Sequence, residues 1–437
     1  MKIRFYLSLL IAKLLYYFLK ITKLSSGTAI IGLIVLKICP NFLTHVNEYI
    51  KFAQINVTGT NGKTTTSGIL SHLIRKSDKS VIHNSVGANM LNGIVNALAL
   101  QINPFKKHDY SVIETDEAFL KKVYSKIEGD YLLVTNLFED QTDRFANPII
   151  TRDLIQEGIN KQPKVQLVLN ADEPISATLK SDVEPIFYSV EKVINEDGEI
   201  FENTNPNNTI CPICNNRLNY SKNFYSQIGH FECNCGYKHK DAKYKATVTL
   251  RKNSSIIELD NEKYEIPLIG LFNAYNALGA IVLAKELGIS GIQENIKSFK
   301  VAFGRSEKRV LNGHETIVQL IKNPAGTNEI LKTVDLDSNI LIAVNNNVAD
   351  GTDISWINQV DFEKFSEAKK EIVVSGLCAN DMTKRLLQAG VKNIKTIEDI
   401  KKSVEYLAQN ADNNITVLST YTALLKIDKI KEMKKCY

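Results

Sequence analysis

The segment Thr58-Gly59-Thr60-Asn61-Gly62-Lys63-Thr64-Thr65 has the residue types and spacing to hold a chain of phosphates. Glycines let backbone N–H groups turn inward around phosphate oxygens, and a helix starting there adds a favourable dipole. Lys63 suits the β- and γ-phosphates of ATP, and Thr64 offers a hydroxyl to Mg²⁺. A ligand-free glycine turn is the bland alternative. Against it, Ile55-Asn56-Val57 before the loop reads as a strand and Thr64 to Arg75 after it as a helix, the context such a loop requires.

A second group of residues has metal chemistry. Seven cysteines stand at 39, 211, 214, 233, 235, 378 and 436, four of them between 211 and 235. Cys211-Pro212-Ile213-Cys214 and Cys233-Asn234-Cys235 are two knuckles, separated by 18 residues, that supply a closed tetrahedral thiolate set. That arrangement points to structural Zn²⁺ rather than catalysis; buried thiols or a redox pair are the alternatives. His230 and His239 lie close by, but four cysteines already complete the shell. The spacing is not that of a secreted disulfide framework, and with the phosphate loop it places the chain in the cytosol. Cys378 reads as a core thiol, lacking the Gly-x-Cys-x-Gly setting of a glutaminase nucleophile.

These residues need a framework. Ser80 to His83, Ser111 to Ile113, Tyr131 to Val134 and Val165 to Leu169 read as buried strands alternating with helices, predicting an α/β fold with a doubly wound parallel sheet. A polar stretch near 195–210 leads into the cysteine insertion, about 205–240. Strands at Tyr244 to Leu250 and Ser255 to Leu259 follow, then a helix from Asn273 to Leu287. Ile317 to Leu320, Ile340 to Val344, Glu371 to Val374 and Ile415 to Leu418 are strands of a further α/β unit. The expected organisation is therefore an N-terminal segment 1–45, a central domain 46–300 and a Rossmann-like domain 301–437.

At 437 residues, two or three domains are expected. The net charge of +5 permits contact with an anionic membrane or a phosphorylated substrate and does not argue for nucleic acid. Phe5 to Leu19 and Ala29 to Cys39 are apolar runs shorter than a bilayer span. With Lys2, Arg4, Lys13, Lys20 and Lys23 nearby, the first suits a helix at a membrane surface or one packed on the domain body, with a transmembrane anchor as the third alternative.

The loop Gly-Thr-x-Gly-Lys-Thr-Thr resembles that of the Mur ligase and folylpolyglutamate synthetase superfamily, and further elements follow in order. Glu114 matches the acidic residue that holds Mg²⁺ there. Thr135 to Phe145 resembles the Thr-Asn-…-Asp-His-x-Asp segment, with Gln141 in place of histidine. Leu169 to Pro174 resembles the Asn-x-Asp-Asp stretch. Gly270 to Asn276 resembles the adenine-contacting element, with Asn273 and Asn276 kept and Phe272 replacing histidine. Phe303-Gly304-Arg305-Ser306-Glu307 resembles the hinge whose arginine, here Arg305, reaches the nucleotide. The resemblance implies ATP-dependent activation of a carboxylate as an acyl phosphate, then amide formation.

Within the superfamily, the cysteine insertion, Lys322-Asn323-Pro324-Ala325-Gly326 and Ala349 to Trp356 resemble the MurT family, the synthetase subunits of lipid II isoglutaminyl synthases. That resemblance implies amidation of a glutamate α-carboxylate in a lipid-linked cell-wall precursor, at the inner face of the membrane. It implies ammonia supplied by a GatD-like glutaminase subunit, with Asp353 completing the partner's Cys–His pair. From the residues alone, Asp353 in a glycine-containing loop reads equally well as a turn residue. An amino-acid-adding ligase acting on a peptidoglycan or pseudomurein peptide, and a zinc-ribbon binding module, are the alternatives.

Overall fold

β-Branched runs separated by amphipathic helices build two mixed α/β units in the computed structural model, which describes residues 2–22, 28–84, 88–139, 147–201, 210–300 and 304–435. One unit comprises Met1–Leu137, Pro148–Pro267 and Asn273–Lys300; the other comprises Phe138–Asn147, Leu268–Phe272 and Val301–Tyr437. Gln141, Phe303, Lys23 and Cys436 lie outside the described residues.

In the first unit β1 (Ile50–Thr58), β2 (Val81–His83), β3 (His108–Glu114), β4 (Tyr131–Val134), β5 (Gln166–Asn170) and β6 (Ile186–Ile194) are parallel. The chain then leaves the sheet for a hairpin, β7 (Asn219–Tyr225) and β8 (Ile228–Glu232). It returns as β9 (Tyr244–Leu250) parallel to β6, and β10 (Ser255–Leu259) and β11 (Glu262–Ile266) extend the sheet antiparallel. The strand order is β11-β10-β9-β6-β5-β4-β1-β3-β2. After β1 the chain moves toward β2, and after β4 toward β5, so the connections diverge between β1 and β4. Ligands of open α/β sheets bind at such a switch, beyond the strands' carboxyl ends.

The principal helices of this unit are α1 (Lys2–Thr22), α2 (Thr28–Ile38), α3 (Lys63–Lys76), α4 (Leu91–Gln101) and α5 (Leu271–Glu286). α1 buries Phe5, Ser8, Leu9 and Ala12; the Phe5 ring stacks on Phe42 at 5.0 Å and Tyr49 at 5.3 Å. One face of the N-terminal helix thus belongs to the core, which also holds Ile31 and Val35 of α2 and Ile94, Val95 and Leu98 of α4.

Beneath α3, His83 of β2 is buried, its Nε2 3.1 Å from Ser67 Oγ. Burial, reinforced by the Arg75 charge, lowers its pKa from 6.5 to about 4. The unfolded chain therefore binds the proton first, so stability contributed by neutral His83 is lost as pH falls from 6.5 toward 4. That loss is expected to reach ~3 kcal/mol. Urea unfolding across this window should show it, and His83→Leu should flatten that part of the pH profile.

The second unit has strand order β16-β15-β14-β17-β13-β12-β18. The strands are β12 (Arg305–Leu311), β13 (His314–Leu320), β14 (Asn339–Ala343), β15 (Ile372–Ser375), β16 (Ile394–Thr396), β17 (Ile415–Ser419) and β18 (Met433–Lys435). β13 to β17 form a parallel Rossmann-like sheet, and β12 and β18 join antiparallel at one edge. Its helices include α6 (Pro324–Lys332) and α7 (Tyr421–Ile427).

Candidate functional site

The loop from β1 to α3 lies at the switch between β1 and β4. Gly59 has φ +121° and Gly62 φ +87°, left-handed values that favour glycine. Space requires glycine as well: a Cβ on Gly62 would lie 1.9 Å from Asn276 Oδ1, and one on Gly59 2.3 Å from Thr135 Oγ1. The segment after β4 holds the loop open. Thr60 N–H donates to Asn136 O at 2.8 Å, Asn61 N–H donates to Asn136 Oδ1 at 2.9 Å, and Thr135 Oγ1 donates to Asn61 O at 2.7 Å. Lys63 then opens α3 with Thr64 and Thr65 in its first turn, and among the described residues the buried Thr65 hydroxyl has no hydrogen-bond partner.

Lys63 is 9% exposed, and its ammonium donates to Gly59 O and, at 2.9 Å, to Glu117 Oε1. Burial opposes the charge, but Glu117, Asp116 and Glu114 outweigh it and hold the Lys63 pKa above the ordinary lysine value. Sequence reasoning selected Glu114 and passed over Glu117, three residues on, although both stand in one acidic run. Glu114 is 2% exposed. Its backbone N–H donates to Asn84 Oδ1 at 2.7 Å, Asn89 Nδ2 donates to its Oε1 at 3.3 Å, and its buried Oε2 has no hydrogen-bond partner among the described residues. An orphaned carboxylate oxygen in an acidic setting fits a hard divalent cation such as Mg²⁺.

α5 brings Asn273 and Asn276, both buried, to the same loop. The Asn276 side chain sits against Gly62, and Asn276 O accepts from Thr66 Oγ1 at 3.2 Å. Phe272, where the resemblance expects histidine, belongs to the second unit and packs against a hydrophobic core of that unit.

The four cysteines converge: Sγ atoms of Cys211 and Cys235 are 3.7 Å apart, those of Cys214 and Cys233 3.5 Å, and all four lie within 4.8 Å of one another. Four thiolates at ~2.3 Å from one tetrahedral ion stand roughly this far apart, so the set can hold a metal. How the ribbon is tethered was missed by sequence reasoning. Asp172, fully buried, accepts from His239 Nε2 at 2.7 Å on Oδ1, and from Tyr275 Oη at 2.7 Å and Val190 N–H at 2.8 Å on Oδ2. The His230 ring stacks on His239 at 4.2 Å, and Gln227 Nε2 donates to Glu173 Oε1 at 2.7 Å. The Asn170 to Pro174 stretch is thus the ribbon's dock. The pair of histidines flanking the second knuckle was the signal. Asp172→Ala should cost ~3 kcal/mol by leaving the buried Tyr275 hydroxyl and Val190 N–H and the part-buried His239 ring without their acceptor, read by denaturant unfolding, while metal content stays unchanged.

In the second unit, Arg305 opens β12. Asn323 caps α6, its side chain accepting from Gly326 N–H, with Pro324 in the first turn. Asp350 pins the following loop: its Oδ1 accepts from Thr422 N–H at 2.7 Å, and Gly351 turns with φ +91°. Asp353 is half-buried and accepts from Ser355, N–H to Oδ1 at 2.8 Å and Oγ to Oδ2 at 2.9 Å. Cys378 is buried in the core of this unit.

Comparison with known proteins agrees with this layout. Residues 57–190 and 186–284 match the Mur ligase middle domain, and residues 320–424 match the MurT ligase C-terminal family. The chain is 35% identical over 372 residues to the lipid II isoglutaminyl synthase (glutamine-hydrolyzing) subunit MurT of Staphylococcus aureus (strain COL), covering 84% of each. To the subunit of the same name from Streptococcus pneumoniae (strain ATCC BAA-255 / R6) it is 30% identical over 427 residues, covering 94% of this chain and 93% of the relative. Among solved structures, a pseudomurein peptide ligase type C from Methanothermus fervidus superposes with TM-score 0.69 at 22% identity, covering 87% of this chain and 79% of that one, a likeness of fold.

Proposed function

The chain belongs to the MurT family of Mur ligase-like synthetase subunits, and from that premise we propose that it amidates the α-carboxylate of a glutamate in a lipid-linked cell-wall precursor, using ATP and ammonia from a GatD-like glutaminase subunit. As a family member it is an ATP-dependent carbon–nitrogen ligase. The observation that carries the finer reading is one chain joining a phosphate loop built around a buried lysine to a MurT-type C-terminal segment.

A carboxylate is a poor electrophile. One of its oxygens attacks the γ-phosphorus, the bond to the β–γ bridging oxygen breaks, and an acyl phosphate and ADP result. Ammonia then adds to the acyl carbon, and loss of a proton and phosphate leaves the amide. In this reading Gly59, Thr60, Asn61, Gly62, Thr64 and Thr65 cradle the phosphates, and Lys63 neutralises charge as it moves toward the leaving oxygen. Asn273 and Asn276 take the adenine, and Arg305 reaches the nucleotide. Thr64 and Glu114 would hold Mg²⁺, which supplies further charge neutralisation when bound. Cys211, Cys214, Cys233 and Cys235 hold structural Zn²⁺. Asp353 orients the imidazole of the partner's Cys–His pair. The work is done in the cytoplasm, at the inner membrane face where the substrate's lipid is anchored.

The test is incubation of the chain, co-expressed with its glutaminase partner, with ATP, glutamine and a lipid-linked glutamyl peptide. Mass spectrometry should find a carboxamide on that peptide and one phosphate released per amide. Turnover that needs an added amino acid, and ignores glutamine and ammonia, would make the chain an amino-acid-adding Mur-type ligase and sink the reading.

A further inference from the structure

α1 has two apolar faces, and the fold uses one. Phe5, Ser8, Leu9 and Ala12 face the core. At ~100° per residue, Ile3, Leu7, Leu10, Leu14, Tyr17 and Ile21 fall on one line along the opposite side of the helix, and all six are exposed; Ile3 is 82%, Leu14 and Tyr17 each 61%, and Ile21 80% exposed. A soluble helix ordinarily turns charged and polar side chains toward water.

The charges sit where a lipid surface would want them. Residues 1–47 contain six Lys and Arg and no Asp or Glu. By the same helical spacing, Lys2, Lys13 and Lys20 flank the exposed line on one side and Arg4 on the other. Lys2 is paired with Glu48 at 2.9 Å; Arg4 and Lys20 are exposed. On α2, Ile30 and Leu33 are exposed beside Lys37. We propose that the outer face of α1 docks the protein flat on an anionic bilayer, its apolar line entering the acyl boundary and its cations meeting lipid phosphates. Basic flanks favour an anionic membrane over a neutral apolar partner. The packing of Phe5 on Phe42 and Tyr49 favours a helix lying on the surface over one crossing it, since crossing would strip that face from the core. This deepens the reading of a lipid-linked substrate by naming the surface that brings the site to it.

The experiment is co-sedimentation of the full chain with vesicles of phosphatidylcholine alone or with about one-third phosphatidylglycerol. Binding is expected to the anionic vesicles, at least tenfold weaker to the neutral ones, and weakened by high salt. Leu7→Glu with Leu14→Glu and Ile21→Glu should reduce it tenfold or more while leaving the thermal midpoint unchanged, because these side chains touch solvent. Absence of binding by the unmodified chain, or binding indifferent to the triple variant, overturns the proposal. So does vesicle-independent dimerisation that the triple variant abolishes, or protease protection showing that the N-terminus crosses the bilayer. None of these readouts involves ATP turnover, so failure here is distinguishable from failure of the amidation reading.

Discussion

Lys63→Ala is expected to lower kcat for ATP-dependent turnover by ~10³ or more, equivalent to ~4 kcal/mol of lost transition-state stabilisation. Lys63 is 9% exposed, with its ammonium held between Gly59 O and Glu117. Its pKa lies above the ordinary lysine value, so the charge is present throughout the neutral range. A fixed cation in a poorly hydrated site acts more strongly on a phosphoryl group than one in water, and it needs no reorganisation as charge moves. The single variant has a second consequence. It leaves Glu117 buried beside Asp116 and Glu114 without its cation, which should cost ~3–5 kcal/mol of stability. Lys63→Ala combined with Glu117→Gln separates the two effects. The double variant should recover most of the unfolding free energy and none of the activity. Recovery of turnover to above about a tenth of the unmodified level would show that Lys63 serves the fold and not the phosphates.

Much of this site was legible because its chemistry is local. A strand, two glycines, a lysine and a helix are contiguous, and Tyr131 to Val134, Tyr244 to Leu250 and Ser255 to Leu259 end where their apolar patterns end. What escaped was decided by distant partners. β6 contains Ser189, Glu191 and Lys192, which break its apolar run, yet it pairs with β5 and β9 inside the sheet. β12 reads Arg-Ser-Glu-Lys-Arg-Val-Leu and forms a strand because β13 and β18 pair with it and Arg309, fully buried, meets Glu307 at 2.9 Å and Asp428 at 3.1 Å. The Lys63–Glu117 pair and the Asp172 dock likewise join residues 54 and 67 positions apart, beyond the reach of spacing rules. For α1 the sequence offered a surface helix, a core helix or, behind both, a transmembrane anchor. The helix formed is 21 residues, long and apolar enough to cross a membrane, and in the fold one face packs in the core while the other is exposed.

Asp353→Asn is expected to lower glutamine-dependent amidation by ~10²–10⁴ while ammonia-driven amidation stays within about twofold. The upper figure is the loss when the carboxylate behind a catalytic imidazole is replaced by an amide, which stabilises the wrong tautomer and no longer supports the imidazolium. The Asp353 carboxylate is already held in one orientation. Asp350 and Gly351 fix the loop, and the two bonds from Ser355 fix the angle of the side chain. Those same bonds describe an Asx turn, which is the competing account. Asparagine suits Asx turns and keeps an oxygen for the Ser355 N–H, so a purely structural Asp353 would tolerate the change. The split between nitrogen donors therefore discriminates. Loss confined to glutamine, with the complex still formed in size-exclusion chromatography, places Asp353 at the partner's nucleophile. Equal rates from both donors would return it to the turn. Equal loss from both would place the defect in the synthetase site or its fold, and thermal unfolding of the variant tells those two apart.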